Sequence, residues 1–337
     1  MQTVEYIEVQ SRTANLAGLD SANISTEDFR SLRDGHDLRL RRAFLAFWWP
    51  FYRHVEQRWF RPFWDSSTTY AAGQERYHAG SDKYYVALKA STNQAPADSA
   101  GVVNDAYWAL CNQTPAAGEW DATKTYAVAE QAAYAGTIYQ LHTAAVAGTL
   151  PTDATKWGEL PPFERTIDFE QTGETAIGRV REIWTGNPDA TTRRQVLDWD
   201  TDSAGIIVRN GGTSCWVEFQ ERAPRLFGEV HDDARSYAAG RQVYFSAGFT
   251  SNFPGNFYTA ATAIGTNTDP SDDTTNWVKV EIPLDFALFL EYGAASDWLR
   301  ANGQPEDANL REAEAARMLE EAIAIWSDQS NTRRVRR

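Results

Sequence analysis

Five histidines, two cysteines and a few clustered carboxylates are the side chains of this chain best suited to acid–base, nucleophilic or metal chemistry. An active centre requires such groups to converge. His36, His54, His78, His142 and His231 fall in separate segments, with no His-Glu-x-x-His pair and no Cys/His cluster at metal-ligand spacing. Cys111 and Cys215 show neither redox nor metal spacing, which suggests a reducing compartment. Cys215 lies in an apolar run after Ser214, so a packed core thiol is expected there. Asp198, Asp200 and Asp202 form a loose acidic run, and Asp272-Asp273 a second. Two carboxylates can hydrolyse a glycoside, but sequence separation does not fix their distance, and solvated loop charge is the simpler reading. Gly186-Asn187-Pro188 and Asn210-Gly211-Gly212 are turn chemistry rather than phosphate loops, since no Gly-rich loop is followed by Lys-Ser/Thr. The expectation is no catalysis, no cofactor and no metal.

The scale of the chain allows several domains. It has 337 residues, 42% of them hydrophobic, with 13 Trp, 14 Tyr and 16 Phe but only 2 Met. Such an aromatic excess suits several small units, each closed around a few large rings. A formal charge of −14 argues against a surface dedicated to gripping nucleic acid, which needs clustered Lys and Arg. No apolar run is long enough to span a bilayer, and the opening "MQTVEYIEVQSRT" has no signal-peptide core. A soluble protein made in a cytoplasm, with no membrane partner, is expected.

One phrase occurs three times. The first copy is "WDSSTTYAAGQERYHAGSDKYYVALKASTNQAP" and then Trp108; the second is "WDATKTYAVAEQAAYAGTIYQLHTAAVAGTLP" and then Trp157. The third is "HDDARSYAAGRQVYFSAG", a longer hairpin, then "NFYTAATAIGTNTDP" and Trp277. Trp64 and Trp120 precede Tyr70 and Tyr126 by six positions; His231 holds that place before Tyr237. Gly73 and Gly240 follow their Tyr by three, where the second copy has Ala129. From Tyr85, Tyr139 and Tyr258 to Pro96, Pro151 and Pro270 the spacing is 11, 12 and 12, as repeated hairpins with variable turns would give.

This pattern, W-x5-Y-x2-G followed by Y-x-A, Pro and Trp, resembles the small chitin-binding modules attached to chitinases and cellulases. The resemblance covers roughly 45 residues in each of three places and rests on aromatic, Gly and Pro spacing. It implies a compact antiparallel β fold and glycan binding by exposed rings. Rings outside the fold-defining positions, Tyr84, Tyr107 and Phe253, are the candidates for stacking on a polysaccharide.

Around the modules the texture changes. Ser25 and Asp28 fit a capping box, and Phe29, Leu32, Leu40, Phe44, Phe47 and Trp48 recur near helical spacing. Pro50 should kink or restart that helix and Pro62 end the segment. Residues 26–63 carry eight Arg against five acids, either a solvated helix face or a surface for an acidic partner. Runs at Ala176–Trp184, Arg194–Trp199, Gly205–Arg209 and Ser214–Phe219 predict a small antiparallel sheet. After Pro283 a helix should run to a cap at Gly303, and a second from Pro305 to Asp328 with Leu310, Ala313, Met318 or Arg317, Ile323 and Trp326 along one side.

The expected fold is α+β: a helical frame from the N- and C-terminal segments, with a small antiparallel sheet and three small all-β modules inserted. The predicted divisions are an N-terminal extension at 1–24, a helical frame segment at 25–63, modules at 64–111, 119–160 and 231–281, a β segment of the frame at 163–227, C-terminal helices at 284–328 and a basic tail at 329–337.

A second resemblance covers about half of the chain and is carried by "FERTIDFEQTGETAIGRVREIW", "NPDATTRRQVLDWDTDSAGIIV" and the stretch from "FALFLEYGAASDWLRANG" to "TRRVRR". These segments are similar to neck or head-to-tail connector (adaptor) subunits of tailed bacteriophages. That likeness implies a virion protein, a homo-oligomeric ring against the portal and neighbouring neck and tail proteins, and DNA only as passing cargo. An acidic body suits a conduit that must not hold its cargo. The tail, with Arg333, Arg334, Arg336 and Arg337, suits docking on an acidic neighbour and is expected to be disordered until it does. A free carbohydrate-binding protein, or a collar or receptor-binding virion protein, is the other reading.

Overall fold

The computed structural model describes residues 2–20, 24–112, 115–171, 174–190, 195–203, 205–246, 254–266 and 268–334, with side chains described as far as Ser327. The fold is α+β, with helices from both ends of the chain and many small antiparallel sheets. The chain divides into two compact units, one of residues 1–53 with 222–337 and the other of residues 54–221. The third module thus shares a unit with the helices, while the β segment expected in the frame shares its unit with the first two modules.

In the helical unit, α1 (Tyr6–Leu16) follows a short strand, Thr3–Glu5, paired antiparallel with Glu281–Pro283. The expected N-terminal extension is therefore part of the core: Tyr6 and Val9 are fully buried. α2 (Thr26–Ala46) starts as predicted, with Ser25 Oγ accepting from the Asp28 amide at 3.1 Å. It buries Phe29, Leu32, His36, Leu40, Ala43 and Phe44, one helical stripe. Beyond Ala46 the expected helix does not resume. Pro50 opens a single 3-10 turn, Pro50–Tyr52, and the chain becomes the strand Arg53–Trp59. Proline blocks the helix, and the β-compatible run that follows finds sheet partners.

α3 (Leu284–Ala301) is the central helix and packs against α1, α2 and α4 (Pro305–Arg334). α3 turns into α4 through Gly303 at φ +76°, the left-handed conformation glycine tolerates best, and Pro305 stands at the first helical position. Small residues set the packing distances. A Cβ on Gly35 of α2 would lie 3.3 Å from the Cβ of Ala294 on α3. α4 buries Ala308, Ala315 and Ala322, spaced by sevens, with Leu319, Ile323 and Trp326 half-buried. The predicted stripe is thereby corrected, since Leu310 and Ala313 point to solvent. Backbone helix also continues to Arg334 instead of stopping at Asp328.

Arg39, 3% exposed, crosses this interior. Its guanidinium donates to Asp297 on α3 at 2.7 and 2.9 Å and to Glu312 on α4 at 2.6 and 2.8 Å, joining three helices. Two forked carboxylate pairs offset the desolvation of a buried cation.

In the second unit, two three-stranded sheets replace the single predicted one. Arg53–Trp59 and Ile177–Trp184 flank Ser214–Glu221, and Thr166–Ile167 and Trp199–Thr201 flank Ile206–Val208. Ile183, Ile206, Val217 and Phe219 fill their shared core. Arg58 is buried there, paired with Glu56 and Glu174 beneath the Phe219 ring. The Arg-rich stretch 26–63 is consequently no single partner surface, because Arg39 and Arg58 are consumed inside.

Candidate functional site

The three modules repeat one another atom for atom at the positions that close them. Each has three antiparallel strands, joined in the third module by a short parallel strand, Glu229–Val230, and the last strand opens on a Trp: Ala87 pairs with Trp108, Leu141 with Trp157 and Ala260 with Trp277. That Trp packs edge-on against Tyr70, Tyr126 or Tyr237, with ring centroids 5.4, 5.2 and 5.5 Å apart. The Tyr hydroxyl accepts from the amide of Asp65, Asp121 or Asp232 at 2.6, 2.8 and 2.8 Å. Three residues on, the amides of Gly73, Ala129 and Gly240 donate to Ala87, Leu141 and Ala260 at φ +83°, +74° and +79°. These rings are interior, as befits small units with little aliphatic core.

The leading ring has a defined place too. The amides of Trp64, Trp120 and His231 donate at 2.8 Å to the carbonyls of Tyr77, Ala133 and Tyr244. Each ring then meets another 14 positions later, edge-on: Trp64 with His78 at 5.8 Å, Trp120 with Tyr134 at 5.5 Å and His231 with Phe245 at 5.5 Å. The pairs of the first two modules are half-buried and present ring surface at the module rim. In the third, the His231 side chain is only 4% exposed, stacked on Tyr237. The 14-residue recurrence was available in the sequence, but it becomes meaningful only when the hairpin brings its two ends together.

Of the ring residues nominated for glycan contact, Tyr84 is corrected outright. It is 6% exposed, stacks on Phe163, accepts from the Phe60 amide and donates to the Thr213 carbonyl. Strand alternation explains this. Tyr85 faces the core of its own module, so Tyr84 faces the opposite side, and the neighbouring sheets cover that side. The matching Phe257 beside Tyr258 is likewise buried, against Tyr6 of α1. Tyr107 is half-buried with the Lys89 ammonium 4.3 Å from its ring centroid, so a cation already occupies that ring face. Phe253 lies outside the described residues. Of the tail arginines, Arg333 and Arg334 belong to the α4 backbone with side chains outside the description, and Arg336 and Arg337 lie outside it altogether.

The groups with chemical potential stay apart. His36 is buried between Tyr6 Oη at 3.0 Å and Thr13 Oγ1 at 2.8 Å, and burial lowers its pKa to about 3. His54 lies 3.1 Å from Glu221 on the adjacent strand and 3.4 Å from Glu56 on its own strand. His142 bonds to Thr143 beside it, and burial lowers its pKa. Cys215 is fully buried, its thiol pushed up to about 12, and desolvation also raises Cys111, so neither is poised as a thiolate. Asp198 and Asp200 are exposed beside Arg209, at 3.9 and 3.5 Å. Asp273 caps its own turn, accepting from the Thr275 and Asn276 amides at 3.1 and 3.0 Å. Among the described residues no group of three or more His, Cys, Asp or Glu is arranged to hold a metal. No helix among them is long and apolar enough to cross a membrane. Among the described residues, the module rims and the outer faces of α2 and α4 are surfaces that a partner could meet. No family model and no curated protein matches this chain.

Proposed function

We propose that this chain is a structural virion protein, a subunit of the homo-oligomeric neck or head-to-tail connector ring of a tailed phage. It would be made in the host cytoplasm, act without catalysis or a cofactor, and contact the portal and neighbouring neck and tail proteins. The observation that carries the reading is the helical body built from both ends of the chain, in which the long α4 leads to the arginines at the C-terminus. Such a helix offers neighbours a straight docking edge, and Arg333, Arg334, Arg336 and Arg337 supply charge for an acidic portal surface. The acidic balance of the chain, −14, lets DNA pass as cargo without being gripped.

Mass spectrometry and electron microscopy of purified particles test this. The chain should be present in a fixed copy number at the head–tail junction; its absence from washed virions removes the connector reading.

A carbohydrate-binding or collar role is the second reading, favoured by the half-buried ring pairs Trp64/His78 and Trp120/Tyr134. A flat sugar face stacked on such a pair would give weak affinity per site, raised by the repeats and by a ring of copies. Retention on chitin or host polysaccharide that Trp64→Ala with Trp120→Ala abolishes would support it. No retention of the intact chain on any glycan at millimolar concentration reduces the modules to spacers.

A further inference from the structure

We propose that the exposed face of α2 on one copy docks on the exposed face of α4 on the next, a head-to-tail contact that builds the ring; the proposal rests on the connector reading. Both faces belong to the helical unit and both are unusual for surface helices. On α2, Leu38 and Leu45 are 40% and 66% exposed, one heptad apart, with Arg41 and Arg42 between them. On α4, Leu310 and Ile325 are 58% and 57% exposed on a face that also carries Ala313 and Ala324. Neither face is covered by another described element, and each combines apolar side chains with charge of one prevailing sign.

The charges complement one another. From Pro305 to Asp328, α4 has seven acids and two Arg, and Arg317 is occupied by Glu314 and Glu321. Glu306, Asp307 and Glu320 are exposed, and no described residue pairs with them. On α2, Arg30 and Arg42 are exposed and equally without an ion partner among the described residues. At 1.5 Å rise per residue, Arg30 and Arg42 stand about 18 Å apart along α2, and Asp307 and Glu320 about 20 Å apart along α4. Two cations therefore match two anionic positions at one spacing, with Leu38 and Leu310 between them and Leu45 and Ile325 beyond one end of each pair.

A contact between two different faces propagates, and it closes into a ring when the rotation per copy permits. One helix-on-helix contact falls at the small end of protein interfaces, so a single pair should be weak and the closed ring held by repetition. The spare charge would then set register and salt sensitivity, while Leu38, Leu45, Leu310 and Ile325 supply the buried apolar surface.

Native mass spectrometry and light scattering of the full chain over a range of concentration and salt read the association directly. Two charge-reversed chains are compared, one with Arg30→Glu and Arg42→Glu, the other with Asp307→Arg and Glu320→Arg. Each alone should associate at least about tenfold more weakly than the wild type, equivalent to 1.4 kcal/mol or more. Mixed together they should associate again, because the acidic α2 of one chain meets the basic α4 of the other. Recovery on mixing also shows that both variants are folded. Wild-type oligomers that neither reversal weakens, or reversals that mixing does not rescue, overturn this interface while leaving the connector reading to the particle experiment. A wild-type chain that stays monomeric at millimolar concentration overturns the interface and the self-assembling ring together. Oligomers that behave as proposed while the chain is absent from virions would uphold the interface and remove the connector reading alone.

Discussion

Ala129 stands where the other two modules have Gly73 and Gly240, and it keeps their left-handed backbone at φ +74°. A Cβ in that region costs about 1 kcal/mol, and a Cβ on either glycine would meet nothing within 4 Å, so the strain belongs to the backbone alone. Ala129→Gly should therefore stabilise the second unit by up to about 1 kcal/mol, reduced by the extra freedom of glycine in the unfolded chain. Gly73→Ala should destabilise by a similar amount, and urea denaturation of the two variants checks both signs. Glu291 gives a second prediction. It is 2% exposed on α3, and burial raises its pKa to about 7 against the partial relief of Arg12, 3.4 Å away. A carboxyl with a raised folded pKa stabilises below its unfolded value, near 4.5, and that contribution is lost as pH rises through 7. His36 runs the other way: its depressed pKa gives stability above about 6.5 that is lost as pH falls towards 3. Glu291→Gln leaves the histidine in place, so the wild-type-minus-variant difference isolates the glutamate. The variant should gain on the order of 2 kcal/mol relative to wild type between pH 4.5 and 7, read from unfolding at each pH. A flat difference would mean that Glu291 is paired or hydrated well enough to ionise normally.

At the scale of elements, the first two modules are docked on each other rather than strung as beads. Val86, Leu88 and Ala109 of the first module form one apolar cluster with Leu160 and Ile138, next to and within the second. Gly158, on the last strand of the second module, approaches so closely that a Cβ there would lie 2.7 Å from the Leu88 Cα and carbonyl oxygen. Backbone cannot swing aside as a side-chain tip can, so Gly158→Ala must separate the two modules. A loss of about 1–3 kcal/mol is expected from this overpacking, with the apolar cluster of Val86, Leu88, Ala109 and Leu160 the first to loosen. Thermal unfolding and hydrogen exchange across 84–90 would show it; unchanged exchange there would mean that the two modules are not held by this contact. α4 follows a similar logic, since the residues it buries most fully are the small Ala308, Ala315 and Ala322.

For the whole molecule, the end of the chain is the part expected to matter only in assembly. Residues 329–337 contribute four Arg. α3 and α4 make their described packing contacts upstream of that segment, through Ala308, Ala315, Ala322 and Trp326. Deleting residues 329–337 should leave the thermal midpoint of the chain within a degree or two, while lowering its incorporation into particles. On the connector reading proposed above, attachment of the intact chain should weaken as salt rises, because charge-assisted contacts to an acidic portal would be screened. Normal incorporation of the truncated chain would mean that these arginines do not dock. Asp198→Asn, Asp200→Asn and Cys215→Ser should leave incorporation unchanged apart from the packing loss at Cys215, a fully buried core residue.

The sequence alone determined what depends on local chemistry. Ser25 and Asp28 cap α2, Gly303 and Pro305 divide α3 from α4, and the spacing of Trp, Tyr and Gly specifies three like hairpin modules, because caps, turns and ring pairs act within a few residues or one hairpin. Tertiary structure decided what depends on which surface covers which. Periodicity placed Tyr84 outside its module core but could not reveal the sheets lying over that outer face. Arginine count suggested a basic surface, yet Arg39 and Arg58 turned inward once Asp297, Glu312 and Glu174 were brought within reach from distant segments. Leu310 fitted a helical stripe by hydropathy, whereas the α3 contact selected the alanines at 308, 315 and 322, since close helix packing is decided by side-chain volume against a partner and not by hydropathy along one strand of sequence.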